Sequence, residues 1–406
     1  MANFDDLLAR ATDKGKATVH GAIFKGVDKH GIKIAGQDSV LPDAQPLRED
    51  AVLKAASSTK LFTSIALLQC IERGLIGLDD PVTSVAPELA DPQIVTGTHP
   101  DTGELQSKPA TQQITPRQLL THTSGLGYWF LHPLLTKWAT TTPKGKKSRE
   151  SLVVPERHAI PLVFEPGEGW MYGVGLDWAG CIVRRLHGGV SLEDYMIENI
   201  WKPLGLERPF PTFCISRQGN EEYRARLMGA AERVKPADAC SFAEPGIREF
   251  EFWQGDNPHD QDGGHGLCLT TRDYVAVLAD LIADEPRLLR RETVQQMFTP
   301  QLDPGSATQK MLVQLRVAWD MVAGSDVAEG AVNHGLGGLL VTKDTPASGQ
   351  PAGTLAWGGA ANTVWFACRE KGVAGFMSTQ LSPFGDEHVK ELVEAWRRDF
   401  WEKFRG

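Results

Sequence analysis

The two ends of the chain carry the same pattern of segments, and this pattern constrains the fold more than any other feature of the sequence. Near the N-terminus, apolar residues recur with the spacing of one helical face, at Phe4, Leu7, Leu8 and Ala11. Two β-like segments, residues 19–27 and 32–35, follow around an Asp-Lys-His-Gly turn. The N-terminal end therefore predicts an amphipathic helix and a β-hairpin.

The C-terminal end repeats this pattern in the opposite order. Residues 362–368 and 373–380 flank a Glu-Lys-Gly turn, which again predicts a hairpin. Apolar residues then recur at helical spacing from Val389 to Phe404. Strands and a helix at each end predict one sheet built from both termini, with a long insertion between them.

The insertion combines helices with long irregular segments. Residues 59–73 and 191–201 predict helices, and each is followed closely by a glycine or a proline that ends it. Residues 91–113 and 210–262 are rich in Pro, Gly and charge, so we expect long loops over the surface there.

Charge and hydropathy argue against several classes of protein. Lys and Arg number 42 against 51 Asp and Glu, a formal net charge of −9, which argues against a nucleic-acid partner. The dense basic run at residues 144–149 is expected to be a solvated loop. No apolar stretch approaches the length of a membrane helix, and the first residues lack a signal-peptide pattern. We therefore expect a cytoplasmic protein without a membrane partner.

Neither the cysteines nor the histidines indicate a metal site. The cysteines include no CxxC pair and have mostly apolar neighbours, which predicts buried reduced thiols. They are Cys70, Cys181, Cys214, Cys240, Cys268 and Cys368. His122, His132, His265 and His334 lack metal-ligand spacing and are expected to be structural hydrogen-bonding groups. We expect no metal and no cofactor.

One short motif, Ser57-Ser58-Thr59-Lys60, carries candidate chemistry at the start of a predicted helix. Ser57 and Lys60 are three residues apart, on one face of the first turn. A serine hydroxyl becomes a useful nucleophile when a nearby base takes its proton, and a desolvated lysine can be that base. The motif alone leaves a second interpretation open, in which it occurs by chance and Ser57 is a helix N-cap.

Further segments follow this motif in a set order. They are residues 119–126 (Leu-Leu-Thr-His-Thr-Ser-Gly-Leu), 165–167 (Glu-Pro-Gly), 170–173 (Trp-Met-Tyr-Gly), 263–267 (Gly-Gly-His-Gly-Leu), 271–274 (Thr-Arg-Asp-Tyr) and 357–359 (Trp-Gly-Gly). As an ordered set spanning nearly the whole chain, they resemble the serine β-lactamase-like superfamily of the class C type, which includes family VIII carboxylesterases. The resemblance is strongest to fungal polyketide transesterases of the lovastatin-pathway type.

The resemblance implies an α/β (α+β) fold of the β-lactamase/transpeptidase-like kind, with an antiparallel sheet flanked by helices. Residues 1–75 and 275–406 would form a discontinuous α/β sheet domain. Residues 76–274 would form an inserted, mostly helical and loop-rich domain, with the active site between the two.

The resemblance also implies roles for individual residues. Ser57 matches the nucleophile and Lys60 its partner in deprotonation, while Tyr172 matches the tyrosine that passes a proton to the leaving group. The glycines near Tyr172 would let its hydroxyl approach backbone and substrate. Taken alone, Tyr172 could instead be a core aromatic beside Trp170.

Trp357, Gly358 and Gly359 match the family's third motif. A backbone N–H there, together with that of Ser57, would form an oxyanion hole, and glycine permits such close approach. A plain β-bulge is the open alternative. Tyr128 lies in a segment that matches the transesterases, and we expect it to support the catalytic residues or contact the substrate.

These motifs favour an acyltransferase. It would move an acyl group, through an acyl-Ser57 intermediate, from a thioester or ester donor, carried by coenzyme A or a carrier protein, to a hydroxyl of a natural product. A carboxylesterase that uses water is the alternative. A β-lactam hydrolase is less favoured, because the lactamase pattern Tyr-x-Asn is replaced by Tyr172-Gly173-Val174. A non-catalytic binding protein is also less favoured, because such a protein would not need Ser57, Lys60 and Tyr172.

Overall fold

The structure is a computed structural model that describes residues 4–13, 16–28, 31–36, 47–48, 50–234, 247–249 and 258–404. Its strands are β1 (Ile23–Asp28), β2 (Gly31–Gly36), β3 (Val52–Lys54), β4 (Gln93–Thr98), β5 (Leu105–Pro109), β6 (Ala231–Arg233), β7 (Ile247–Glu249), β8 (Cys268–Thr270), β9 (Val332–His334), β10 (Leu339–Val341), β11 (Thr354–Gly359), β12 (Thr363–Cys368), β13 (Val373–Ser378) and β14 (Leu381–Ser382).

Its α-helices are α1 (Phe4–Ala11), α2 (Lys60–Glu72), α3 (Pro116–Leu120), α4 (Pro133–Thr141), α5 (Pro143–Glu150), α6 (Val154–Arg157), α7 (Gly175–Leu186), α8 (Leu192–Met196), α9 (Glu221–Arg224), α10 (Thr271–Ile282), α11 (Arg291–Met297), α12 (Ala307–Gln314), α13 (Arg316–Ala323) and α14 (Glu387–Lys403). Short 3₁₀ turns lie at Ala56–Thr59, Val82–Ser84, Pro87–Leu89 and Trp129–Leu131, and α8 continues into a π-helical turn at Ile197–Trp201.

The main sheet has seven strands, and both ends of the chain contribute to it. Its order is β2-β1-β13-β12-β11-β10-β9, and every neighbouring pair is antiparallel. β1 is hydrogen-bonded to β13 from the Ile23–Ser378 pair to the Asp28–Val373 pair. The prediction of one antiparallel sheet built from both termini is confirmed.

Helices cover both faces of this sheet. On one face, Tyr274 of α10 stacks on Phe376 with ring centroids 4.2 Å apart. On the other face, Trp396 of α14 lies 4.9 Å from Phe366. A Cβ atom at Gly375 would come within 2.8 Å of the Trp396 ring, so this glycine permits the close approach of α14. Because both faces are covered, β12 and β13 are buried along their whole lengths.

α2 lies in the interior of the protein. Every residue from Lys60 to Cys70 is buried, which agrees with a sequence that is apolar on almost all sides. The helix packs against α7 and ends before Gly74, whose φ of +70° glycine adopts easily. The helices predicted at residues 59–73 and 191–201 are confirmed.

Two segments expected to be long loops contain short strands. Residues 91–113 hold the β4–β5 hairpin, and residues 210–262 hold α9, β6 and β7 within their described part. The prediction was wrong there because polar, Pro- and Gly-rich composition hides short strands. β6 pairs with β14, which lies about 150 residues further along the chain, and local composition carries no information about such a partner.

The basic run at residues 144–149 is helical and not a loop. It lies in α5, where Pro143 occupies the first turn and the Thr142 hydroxyl accepts a hydrogen bond from the Gly145 N–H at 3.0 Å. A Cβ atom at Gly145 would lie 2.1 Å from the Trp138 carbonyl oxygen, so α5 packs tightly on α4. This packing, which the charge pattern does not reveal, explains the helix.

Several further expectations concern the whole chain. Cys70, Cys181, Cys214, Cys268 and Cys368 are buried free thiols, as predicted, and Cys240 lies outside the described residues. Among the helices that the structure describes, none has the length and apolar character needed to cross a membrane. The division into residues 1–75 with 275–406 and an insertion of residues 76–274 stays a prediction.

Candidate active site

Ser57 lies in the tight turn that joins β3 to α2. Ala56 just before it has a φ of +47°, which non-glycine residues adopt rarely and at some cost in backbone strain. The turn is fixed by a hydrogen bond that the Ala55 N–H donates to the Leu267 carbonyl at 2.8 Å. Ser57 itself is half-buried.

The neighbouring serine has a structural environment. Ser58 is fully buried, and its hydroxyl lies 2.7 Å from the Thr363 hydroxyl on β12. Its carbonyl accepts a hydrogen bond from the Tyr274 hydroxyl at 3.0 Å. These contacts tie the turn to the sheet, and of the two serines Ser57 is the more exposed.

Lys60 is almost completely buried, with 2% of its surface exposed. Its Nζ donates to the Gly264 carbonyl at 2.8 Å, to the Tyr128 hydroxyl at 3.0 Å and to Ser57 Oγ at 3.3 Å. An ammonium group has three N–H donors, and these three acceptors use all of them. After loss of one proton, the amine could keep the first two contacts and direct its lone pair at Ser57 Oγ.

Tyr172 approaches Ser57 from a second direction. Its hydroxyl lies 2.5 Å from Ser57 Oγ, and its ring centroid lies 4.8 Å from Lys60 Nζ. A Cβ atom at Gly173 would be only 1.9 Å from the Leu126 carbonyl oxygen. The segment that carries Tyr172 therefore lies flat on residues 126–128, an approach that only glycine allows at this position.

Two buried histidines pack behind Tyr172. The His122 ring meets the Tyr172 ring edge to face at 5.0 Å and stacks on Trp357 at 5.7 Å. Burial, and then the nearby His334 and Lys60, hold the pKa of His122 well below its usual range. Burial lowers the pKa of His334 to about 4. Both rings are therefore neutral at pH 7, and His122 orients Tyr172 mainly through ring packing.

β11 passes close to the Ser57 turn. A Cβ atom at Gly359 would lie 2.6 Å from the Ala55 carbonyl oxygen and 3.0 Å from the Ser57 nitrogen. One at Gly358 would lie 2.4 Å from the Thr363 carbonyl oxygen. The structure thus brings Gly359 beside Ser57, whereas Gly358 packs against Thr363 and Val322; the role of both glycines in an oxyanion hole stays a prediction.

Tyr128 joins this cluster to a cavity. Burial, and then the charge of Asp177, raise the pKa of the Tyr128 hydroxyl well above its usual range, so it stays protonated beside Lys60. The cavity has a volume of about 490 Å³. Its aromatic and aliphatic lining consists largely of Tyr128, Trp129, Phe130, Trp138, Ile160 and Phe213. Charged side chains line the same cavity, among them Arg149, Arg157, Asp260 and Asp262. A space of this size and mixed character suits a bulky, largely apolar molecule that carries a few polar groups.

Of the catalytic candidates, Tyr128 borders this cavity, whereas Ser57, Lys60 and Tyr172 do not line it. Trp170 is buried against His122 and does not line the cavity. Tyr128 therefore links the hydrogen-bonding cluster to the cavity.

Two residues in contact with this cluster have no role predicted from the sequence. Gly264 supplies the shortest contact to Lys60, and Asp177 on α7 accepts a hydrogen bond from the Gly264 N–H at 2.8 Å. The Gly-Gly-His-Gly run marks the first of them. Nothing in the sequence near Asp177 distinguishes it from a surface carboxylate.

Asp177 also forms, with His158 and Asp262, a buried trio whose ligand atoms lie within 4.8 Å of one another. Asp262 already pairs with Arg157 at 2.5 Å and with His158 at 2.9 Å. Because those contacts neutralise one carboxylate and occupy the imidazole, the trio fits a hydrogen-bonded ion-pair network better than a metal site.

The chain matches one protein family and several named proteins over nearly its whole length. The sequence profile of the family described as Beta-lactamase matches residues 11–396. The chain is 52% identical to the protein named acyltransferase calJ of Penicillium decumbens, over 100% of this chain and 99% of that protein. It is 36% identical to the lovastatin esterase of Penicillium rubens, over 98% of each.

Among solved structures, the unliganded selenomethionyl simvastatin synthase LovD of Aspergillus terreus superposes with a TM-score of 0.86 at 30% sequence identity. The match covers 99% of this chain and 98% of that one. The two chains therefore share the same fold.

Proposed function

The chain belongs to the Beta-lactamase family, and we propose that it is a serine acyltransferase that esterifies a hydroxyl of a small-molecule natural product. Its relatives support this proposal, since one that is 52% identical is named an acyltransferase. The observation that carries the proposal is the convergence of two groups on Ser57 Oγ, the Tyr172 hydroxyl at 2.5 Å and Lys60 Nζ at 3.3 Å.

In the first half-reaction, Ser57 Oγ attacks the carbonyl carbon of the acyl donor. Lys60, as the neutral amine, takes the Ser57 proton, and the bond from the acyl carbon to the donor's sulfur or oxygen breaks. The leaving group receives a proton through Tyr172. Backbone N–H groups at Ser57 and in the Gly358–Gly359 segment would stabilise the negative charge on the carbonyl oxygen.

In the second half-reaction, the acceptor hydroxyl attacks acyl-Ser57. Its proton passes to the Lys60–Tyr172 pair, the new ester forms, and Ser57 Oγ regains a proton as its bond to the acyl group breaks. Water, at about 55 M, competes with the acceptor, but a well-oriented hydroxyl reaches effective molarities on the order of 10⁵ M. The aromatic cavity beside Tyr128 would hold the acceptor in that orientation.

The donor and the compartment are part of the same proposal. A thioester of coenzyme A or of a carrier protein would supply the acyl group, since Ser57 can attack either through the same carbonyl carbon. Such donors are found in the cytoplasm, where we expect the protein to act.

A carboxylesterase is the second candidate, because a relative that is 36% identical is named lovastatin esterase. The two functions share the acyl-Ser57 intermediate and differ in whether water or an alcohol attacks it.

The experiment that tests the proposal measures a partition ratio. The protein is acylated with a short-chain acyl thioester, the adduct is detected by intact mass, and the ratio of ester to free acid is followed against the concentration of a bulky polycyclic alcohol. A transferase gives slow hydrolysis alone and a ratio that rises with alcohol. Rapid hydrolysis that no bulky alcohol changes would favour the esterase.

A matched pair of variants locates the acceptor. Phe130 is 55% exposed, lines the cavity and stacks on Tyr128, whereas Leu131 is 48% exposed and does not line the cavity. We expect Phe130→Ala to lower the partition ratio several-fold without slowing acylation, and Leu131→Ala to change neither. Equal effects of the two substitutions would place the acceptor elsewhere.

A further inference from the structure

Asp177 is an acidic residue in the interior, close to the catalytic cluster. It lies in the first turn of α7 with no exposed surface, and its Oδ1 accepts a hydrogen bond from the Gly264 N–H at 2.8 Å. Its Oδ2 has no hydrogen-bond partner among the described residues. A buried carboxylate with an unused oxygen is unfavourable unless another contact stabilises it, so its position calls for an explanation.

The loop that Asp177 contacts is held from two sides. A Cβ atom at Gly264 would lie 2.6 Å from Asp177 Oδ2, and one at Gly263 would lie 2.4 Å from the Leu176 carbonyl oxygen. On the opposite side, the Thr63 hydroxyl of α2 donates to the Gly263 carbonyl at 2.7 Å. The two glycines thus let the loop fit between α7 and α2, with little freedom to move.

The same loop controls the position of Lys60. The Gly264 carbonyl lies 2.8 Å from Lys60 Nζ, closer than Tyr128 or Ser57. We propose that Asp177 is a positioning residue for Lys60, because its carboxylate fixes Gly264, whose carbonyl holds Lys60 Nζ within reach of Ser57 Oγ. This inference rests on the proposed acylation of Ser57.

The hydrogen-bond network supports the same arrangement. Lys60 Nζ contacts the Gly264 carbonyl, the Tyr128 hydroxyl and Ser57 Oγ, and within the described ranges no carboxylate reaches it at salt-bridge distance. Asp177 is joined to Lys60 by a single residue, Gly264, which makes it the carboxylate that the hydrogen-bond network connects to the buried amine.

The first test measures the single-turnover acylation of Ser57 by a p-nitrophenyl ester. In Asp177→Asn, the side-chain oxygen can still accept from Gly264, so we expect this conservative variant to keep the acylation rate within a few-fold of wild type. In Asp177→Ala the hydrogen bond to Gly264 is lost. We expect acylation to be about 10- to 100-fold slower, with little change in the ester concentration that half-saturates the rate, as for a displaced catalytic group.

The matched control is Asp280→Ala. Asp280 is also buried and also accepts backbone hydrogen bonds, from Arg287 and Leu288, but it lies at the end of α10 outside the cluster. We expect its substitution to leave the acylation rate unchanged. If Asp280→Ala slowed acylation as much as Asp177→Ala, a general loss of packing would explain both and the inference would be wrong.

A second variant keeps the inference testable if Asp177→Ala fails to fold. Gly264→Ala places a methyl group against the Asp177 carboxylate and disturbs the same contact, so it should also slow acylation. Wild-type acylation in Gly264→Ala or in Asp177→Ala would overturn the inference. Loss of wild-type acylation on treatment with EDTA would also overturn it, by assigning Asp177 to a metal site.

Ser57→Ala separates this inference from the proposed function. If Ser57→Ala still forms a covalent adduct, the proposed function fails. If it forms none while both Asp177 variants behave as wild type, only the positioning role fails.

Discussion

Replacement of Tyr172 by Phe tests proton transfer with little disturbance to the fold. The substitution removes one hydroxyl, which lies 2.5 Å from Ser57 Oγ, and keeps the ring that packs against His122 and Trp357. A positioned acid or base contributes roughly 10²- to 10⁴-fold to rate. The barrier to acylation should therefore rise by about 3 to 5 kcal/mol. Because the ring stays in place, Tm should change little.

The assay is single-turnover acylation with a p-nitrophenyl ester, followed by release of the phenolate and by intact mass. This assay isolates the first half-reaction, so it does not depend on the identity of the acceptor. We expect the acylation rate constant at saturating ester to fall, with little change in the ester concentration that half-saturates it, as for an interaction made in the transition state.

Tyr195→Phe is the matched control. The Tyr195 hydroxyl is also buried and hydrogen-bonded, to Gln69 at 3.0 Å, but it lies outside the Ser57 cluster. Its loss should leave acylation unchanged. The combination of Tyr172→Phe with Lys60→Ala should be far from additive, because the groups act as one unit. Acylation by Tyr172→Phe at a rate close to wild type would remove Tyr172 from the mechanism.

Two further predictions follow from burial. Ser57→Ala should abolish the acyl adduct seen by intact mass, whereas Ser58→Ala, which removes one hydrogen bond to Thr363, should keep most of the activity; the reverse result would refute the choice of nucleophile. Burial lowers the pKa values of His20 and His334 to about 4, so between pH 6.5 and 4 the unfolded chain binds protons that the folded chain does not. The free energy of unfolding should therefore fall as pH drops through that window, by on the order of 3 kcal/mol for each histidine, as measured by urea denaturation at pH 7 and pH 4.5. Unchanged stability would show that these rings are not buried in the neutral form.

The sequence determined those features that depend on local periodicity and on an ordered set of motifs. Apolar spacing placed α1, α2 and α14, and the paired turn patterns at the two ends placed β1, β2, β12 and β13. The i, i+3 spacing within the first helical turn brought Ser57 and Lys60 together, because helix geometry alone sets that distance. The order of the motifs predicted the family.

The tertiary structure decided what surrounds those residues. Lys60 meets Gly264 across 204 positions of sequence and Tyr128 across 68, and neither contact has a local pattern. The β6–β14 pair and the packing of α5 on α4 were hidden for the same reason. Asp177 became significant only because folding removed it from water and placed it beside a loop that contacts Lys60. The sequence gives the residue type of an aspartate but does not show whether its carboxylate is solvated or buried. Its burial and its partners are determined only by the long-range contacts of the folded chain.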